Sequence, residues 1–205
     1  MVYYIAKERS DFEVTMKNGR MHLHIRNLVY SALCLALCLV LPFLTGQIET
    51  IGSFLSPMHL PVLLCGIICS WYWGAIVGAV APLLRCVMFG MPMLVKAVPM
   101  SFELAAYGAV AGLLMLLLPK KLPYICNIYV SLIGAMIAGR VVWGLATLVC
   151  FFVGFTKSML TFKVFLTTEF VGTWAGIVLQ LLIIPPVVLA MRRAHLVSDN
   201  KTKKQ

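Results

Sequence analysis

Charged side chains are scarce in this chain, and their scarcity decides its class. Asp, Glu, Lys and Arg make up 12% of the 205 residues, whereas 61% are hydrophobic and the mean hydropathy is +0.96. Soluble domains carry about a quarter charged residues. The composition therefore excludes an ordinary soluble domain and indicates an integral membrane protein.

Motifs of several enzyme classes are also missing. GFTKS at 154–158 lacks the GxxxxGKS/T pattern of a phosphate loop, which excludes ATP hydrolysis by this chain in that way. The sequence has no HExxH, no GxSxG and no paired acids beside an obvious nucleophile. We therefore expect a binding or carrier protein, not an enzyme, and no cofactor.

The chain divides into a membrane domain and two flanking segments. Residues 1–26 are mixed in polarity, without a short apolar core and a small-residue cleavage site, so we expect a cytoplasmic N-terminal arm and no cleavable signal peptide. Translation from Met21 is an alternative that the sequence leaves open. Residues 27–192 are expected to form one substrate-binding membrane domain, and 193–205 a basic cytoplasmic tail.

The membrane domain contains six apolar segments suited to transmembrane helices, which need about 20 residues each. WYWG at 71–74 separates the second and third segments almost without a loop, and its aromatic residues are typical of a membrane interface. The predicted spans are Leu28–Leu44, Pro57–Trp73, Gly74–Phe89, Pro99–Leu118, Cys126–Phe155 and Thr161–Met191.

The distribution of lysine and arginine predicts the orientation. Both terminal segments and the PKKLP connection at 119–123 are basic, whereas the opposite side has only Lys96, Lys157 and Lys163. By the positive-inside rule, both termini are cytoplasmic. The predicted fold is thus an all-α integral membrane protein with six transmembrane helices. Topology and anionic lipids explain the net charge of +10, so we expect no nucleic-acid partner.

All seven cysteines lie in or beside apolar segments, where a thiol packs as a small hydrophobic group. They imply no disulfide framework. The pairs Cys34/Cys38 and Cys65/Cys69 have helical spacing, and packing explains them better than a four-thiolate metal site. We therefore expect no metal.

Besides Lys163, at the outer end of the sixth span, five ionisable side chains lie inside the predicted spans, and their depths converge. At about 1.5 Å of rise per residue, all five fall in the outer half of the membrane. Because charges in hydrocarbon are costly and mark functional sites, this convergence predicts a polar cavity open to the outside. The five residues are His59, Arg85, Glu103, Arg140 and Glu169.

The neighbours of these residues at helical spacing extend the candidate site. Tyr107 shares a face with Glu103, Trp143 with Arg140, and Thr173 with Glu169. The predicted substrate-binding residues are His59, Arg85, Glu103, Tyr107, Arg140, Trp143, Glu169 and Thr173.

Structural interpretations without a role in binding also stay open at this point. His59, between Pro57 and Pro61 in SPMHLPVLLCG, also fits a hydrated histidine at the interface. The pairs Arg85 with Glu103, or Arg140 with Glu169, would also fit ion pairs that only hold helices together. The GxxxG patterns at 108–112 and 172–176 predict helix packing and no chemistry.

Residues 21–192 resemble the substrate-binding S components of energy-coupling factor (ECF) vitamin transporters. The resemblance rests on the six-helix arrangement, on SPMHLPVLLCG at the second helix, on FGMPML after the third and on PMSFELAAYGAVAGLL in the fourth. In SALCLALCL, Ala32 and Ala36 match the AxxxA signature with which the family docks on its coupling subunit.

The resemblance implies high-affinity binding of a water-soluble vitamin or precursor, followed by toppling of the S component in a prokaryotic plasma membrane. The energy would come from a transmembrane coupling (T) component and two ATPase subunits on separate chains. Pantothenate, pyridoxine-type compounds, a thiamine precursor and folate-like molecules stay open as substrates. MHLH at 21–24 lies on the predicted cytoplasmic side, which speaks against a nickel or cobalt carrier.

Two other classes of function compete with this interpretation. A self-sufficient secondary transporter would couple a small polar solute to protons through Glu103 and Glu169, although the sequence shows no internal repeat. A membrane enzyme or assembly factor would need an acid/base pair near a nucleophile.

Overall fold

A computed structural model of the chain describes residues 21, 24–43, 57–119, 123–154 and 174–194. These residues form helices and no strand, so the predicted all-α class is confirmed for this part of the chain. In chain order the six helices are α1 His24–Phe43, α2 His59–Ile68, α3 Trp71–Phe89, α4 Leu94–Leu117, α5 Tyr124–Phe152 and α6 Trp174–Arg193.

Five of these helices, all except α2, are long and apolar enough to cross a membrane. Large hydrophobic side chains cover their outer surfaces, and Val87 and Leu182 are 84% and 70% exposed. A continuous apolar surface of this kind suits contact with lipid and not with water. The helices therefore confirm a multi-pass membrane protein, while the side on which the termini lie stays a prediction.

The second predicted span differs from the structure. Helix α2 has 10 residues, which at 1.5 Å per residue is about 15 Å, or half of a hydrocarbon core of about 30 Å. The chain leaves helical geometry at Ser70, and α3 begins at Trp71. The predicted boundary between Trp73 and Gly74 is wrong, because Gly74 serves a helix contact and not a turn.

Helices α2, α3 and α4 pack backbone against backbone at four glycines, which we call the glycine seam: Gly66, Gly74, Gly108 and Gly112. A Cβ atom on Gly112 would lie 2.6 Å from the carbonyl oxygen of Gly66, and one on Gly108 would overlap the main chain of Gly74. Small residues permit this close approach. The packing role predicted for 108–112 is confirmed, whereas Gly172 lies outside the described residues.

Helix α1 is fastened to both ends of α2. The Cys38 thiol donates to the carbonyl of Met58 at 3.6 Å, and the Asn27 amide donates to the carbonyl of Cys69 at 2.9 Å. The core between these helices contains four buried free thiols, those of Cys34, Cys38, Cys65 and Cys69. The described residues contain no group of three or more His, Cys, Asp or Glu that could hold a metal ion.

Two contacts set the height of α2 relative to α4. Gly66 meets Gly108, and His59 meets Glu103, so the two helices run in the same direction. Glu103 lies nine residues after Leu94, the first residue of α4, which is about 13 Å along the axis. Helix α2 therefore begins well inside the bundle, at the level of Glu103.

Candidate functional site

Glu103 is the centre of a buried polar cluster that joins three helices. Its Oε1 accepts a hydrogen bond from Nη1 of Arg140 on α5 at 3.1 Å and lies 3.5 Å from Nε2 of His59 on α2. The exposed fractions are 3% for Glu103, 6% for Arg140 and 3% for His59. The predicted convergence of these three side chains is therefore present in the structure.

Tyr107 completes the polar cluster, which we define as His59, Glu103, Tyr107 and Arg140. Its ring meets the His59 ring edge to face, with centroids 5.0 Å apart and planes at 75°. A Cβ atom on Gly139 would lie 2.9 Å from the Tyr107 ring. The sequence analysis missed Gly139, whose signal was a small residue directly before an intramembrane arginine, and its lack of a side chain lets α5 approach α4 here.

His59 has capacity for a further hydrogen-bond partner. Neither of its ring nitrogens makes a hydrogen bond with any residue that the structure describes. The N-cap residue of α2, Met58, makes no side-chain cap, and the first N–H groups of a helix have no partner within the helix. Buried polar groups of folded proteins are nearly always paired, so this end of α2 is suited to a ligand.

Arg85 lies apart from the polar cluster and donates hydrogen bonds to main-chain carbonyls. Its Nε donates to the carbonyl of Met91 at 3.1 Å, and its Nη1 donates to the carbonyl of Leu39 at 3.3 Å. Its guanidinium carbon lies 5.6 Å from the centroid of the Phe43 ring, which meets Phe89 edge to face. Arg85 thus ties the end of α1 to the connection between α3 and α4.

The heights of the helices explain this separation. Gly78 on α3 meets the main chain of Leu104 on α4, so it lies beside Glu103. Arg85 follows Gly78 by seven residues, or about 10 Å along the axis. The described partners of Glu103 are Arg140 and His59, so the alternative pairing with Arg85 is not observed. Arg85 as a substrate ligand stays a prediction.

The remaining predicted site residues are placed only in part. Trp143 lies one turn after Arg140 on α5 and is half-buried, and its carbonyl accepts a hydrogen bond from the Thr147 hydroxyl at 2.9 Å. Glu169 and Thr173 lie outside the described residues, and so does the alternative pair of Glu169 with Arg140.

The two alanines of the AxxxA pattern lie on the outer surface. Ala32 and Ala36 are both exposed and occupy one stripe of α1, while Ser31, Cys34 and Cys38 form its buried face. A small-residue stripe on the outside of a membrane helix permits close approach of another helix. The position is compatible with the predicted docking role, which stays a prediction.

The family model for the substrate-specific component of ECF transporters matches residues 26–188. The chain belongs to this family. The resemblance predicted from the sequence is confirmed, and this substrate-specific component is a transporter subunit. No curated protein and no solved structure matches the chain.

The polar cluster of this substrate-specific component suits binding. It offers a carboxylate, a guanidinium, an imidazole and a phenol, carried by three helices and surrounded by the apolar core. Small-molecule sites combine such a few placed polar groups with apolar walls. These groups are of the kinds that contact a small molecule with polar groups on one side and an apolar or aromatic portion on the other.

Proposed function

We propose that this chain captures a water-soluble vitamin or vitamin precursor at the polar cluster and takes it into the cell as the S component of an ATP-driven ECF transporter. One observation carries the proposal: ionisable side chains from α2, α4 and α5 meet at a single buried point of a membrane protein. Such groups are expensive within a bilayer and mark binding sites and transport routes.

The contacts support a separate role for each member of the cluster. Glu103 accepts hydrogen bonds from the substrate, and Arg140 neutralises Glu103 and orients its carboxylate. Tyr107 and His59, whose rings are in contact, form an aromatic wall. Trp143, Glu169 and Thr173 add contacts from the later part of the chain.

Arg85 has a supporting role in this proposal. Its two hydrogen bonds hold the connection between α3 and α4 against α1, at the end of the bundle where the substrate enters. By the positive-inside rule, we expect that end to lie outside the cell.

Uptake requires partners that are separate chains. The exposed stripe with Ala32 and Ala36 docks on the transmembrane coupling component, and two ATPase subunits supply the energy. The remaining apolar surface contacts the lipid of a prokaryotic plasma membrane. Within this assembly the substrate-specific component binds and carries but performs no reaction.

A ligand screen tests the proposed function. The full chain is purified in detergent, and its thermal stability is followed against a panel of water-soluble vitamins and their precursors. We expect one compound to stabilise the protein at micromolar or lower concentration. Absence of any such compound, together with proton movement by the reconstituted chain alone, would instead establish the proton-coupled secondary transporter.

A further inference from the structure

The start of α2 is a buried set of hydrogen-bond donors at the level of the polar cluster. Helix α2 begins beside Glu103, about 13 Å below the start of α4. Met58 and His59 are 4% and 3% exposed, and Met58, the N-cap residue, makes no side-chain cap. The N–H groups of His59 and Leu60, which precede Pro61, therefore lie inside the bundle and have no partner within α2.

The His59 side chain also lies at the start of α2, where its ring is next to Glu103 and Tyr107. Side chains of a helix tilt toward its N-terminus, so the ring of a first-turn residue extends over the start of its own helix. His59 is 3% exposed, and neither ring nitrogen has a hydrogen-bond partner among the described residues. This imidazole is a second, independent sign that a polar group of a ligand belongs at the start of α2.

The local charge favours an anion. The Glu103 carboxylate is already paired with Arg140 at 3.1 Å, so the two ions add no net charge. The N-terminus of a helix carries about half a positive charge from its aligned peptide dipoles. Half-helices that begin inside a membrane bundle direct this charge at anionic substrate groups.

We propose that the start of α2, with His59, binds a carboxylate of the substrate. This inference rests on the proposed function and narrows it, because it selects vitamins and precursors that carry a carboxylate over neutral and cationic ones. The carboxylate accepts hydrogen bonds from the N–H groups of His59 and Leu60 and from the His59 ring. The rest of the substrate extends toward Glu103 and Tyr107.

Matched pairs of acids and neutral analogues test the proposal. The full chain in detergent is titrated by calorimetry with pantothenate and panthenol, nicotinate and nicotinamide, biotin and biotin amide, and folate and its dimethyl ester. We expect the acid of one pair to bind about tenfold to hundredfold more tightly than its neutral partner, as charge-assisted hydrogen bonds allow.

Variants of His59 test whether this residue causes the preference for the acid over its neutral partner. His59→Phe keeps a ring and removes both nitrogens, so it should reduce the acid preference to about threefold or less, because the charge-assisted hydrogen bond is lost. A melting temperature of the ligand-free variant close to that of the wild type reports an intact fold. His59→Gln retains a donor and should preserve the preference. His24→Phe, at an exposed position of α1, is the matched control.

Several results would overturn the inference and leave the proposed function intact. They are equal binding of the acid and its neutral partner, binding only of vitamins without a carboxylate, such as thiamine or pyridoxine, and an unchanged acid preference in His59→Phe. Binding of no vitamin in any form would overturn the proposed function itself. If His59→Phe does not fold, the wild-type pairs and His59→Gln still decide the question.

Discussion

The two ends of α2 contact the same neighbour, α4, in opposite ways. At the C-terminal end, Gly66 meets Gly108 and Gly112 with no side chain between the backbones. At the N-terminal end, His59 faces the carboxylate of Glu103 and the ring of Tyr107. The first contact joins main chains directly, whereas the second buries polar groups, and the His59 ring nitrogens make no hydrogen bond with a described residue.

The difference shows how the fold positions its site. The glycine seam sets the height of a helix too short to cross the membrane and brings its first residue to the level of Glu103. Close packing alone stabilises the seam. The polar end is costly to bury, and a buried ion pair is weak evidence for stability, so its placement is explained by binding.

Breaking the ion pair should give the largest change in stability. Glu103→Gln leaves the Arg140 charge buried without its carboxylate, and we expect a loss of about 3–5 kcal/mol in the free energy of unfolding. The double variant Glu103→Gln/Arg140→Met removes both charges and should recover most of that loss. Chemical denaturation in detergent measures both, and equal stability of the single and double variants would contradict the account.

The glycine seam should tolerate no side chain at its centre. In Gly108→Ala the new Cβ atom overlaps the main chain of Gly74, which cannot rotate away, and we expect a loss of about 3 kcal/mol. Gly134→Ala is the matched control, because its Cβ atom meets only the Leu114 side chain, which can move. Similar losses for the two variants, measured by denaturation, would show that the seam is not a tight contact.

Arg85 sharpens the comparison, because it is a charged residue that holds structure. Arg85→Gln loses the hydrogen bonds to Met91 and Leu39, and we expect about 2 kcal/mol less stability. Substrate affinity should stay within about threefold of wild type, since Arg85 lies about 10 Å from the cluster along the axis. The opposite pattern, lost affinity with unchanged stability, would show that Arg85 is a substrate ligand.

The smallest effect on the isolated chain is expected at the outer stripe of α1. Ala32→Leu and Ala36→Leu change exposed positions, so stability should change by less than about 0.5 kcal/mol. Vitamin binding should persist, whereas copurification with the coupling component should fail because the added side chains prevent close approach. Ala190→Leu, exposed on α6, is the control; assembly of the alanine variants would refute the docking role.

The sequence predicts much of the site because a charge in an apolar helix is conspicuous. His59, Glu103, Tyr107 and Arg140 were all predicted, and the structure brings them together. The pairing of Glu103 with Arg140 was not predicted, since it depends on which helices become neighbours and at what height. Helical spacing within one segment carries no such information.

The helix break before α3 could not be predicted from the sequence for a related reason. The four residues WYWG resemble an interfacial turn, and Gly74 resembles a turn residue. In the structure that glycine meets Gly66 instead, and a Cβ atom on Gly74 would lie 2.6 Å from the Gly66 Cα. A glycine required by a tertiary contact cannot be told from a turn glycine by local sequence alone.

The thermal shift that vitamins produce in the wild type and in Glu103→Gln/Arg140→Met tests the central claim most directly. The double variant keeps the fold without the charges, so it separates binding from stability. The account predicts that the vitamin which stabilises the wild type leaves the melting temperature of the double variant unchanged. An equal shift in both proteins would contradict it, because the substrate would then bind elsewhere and the charges would only hold the helices together.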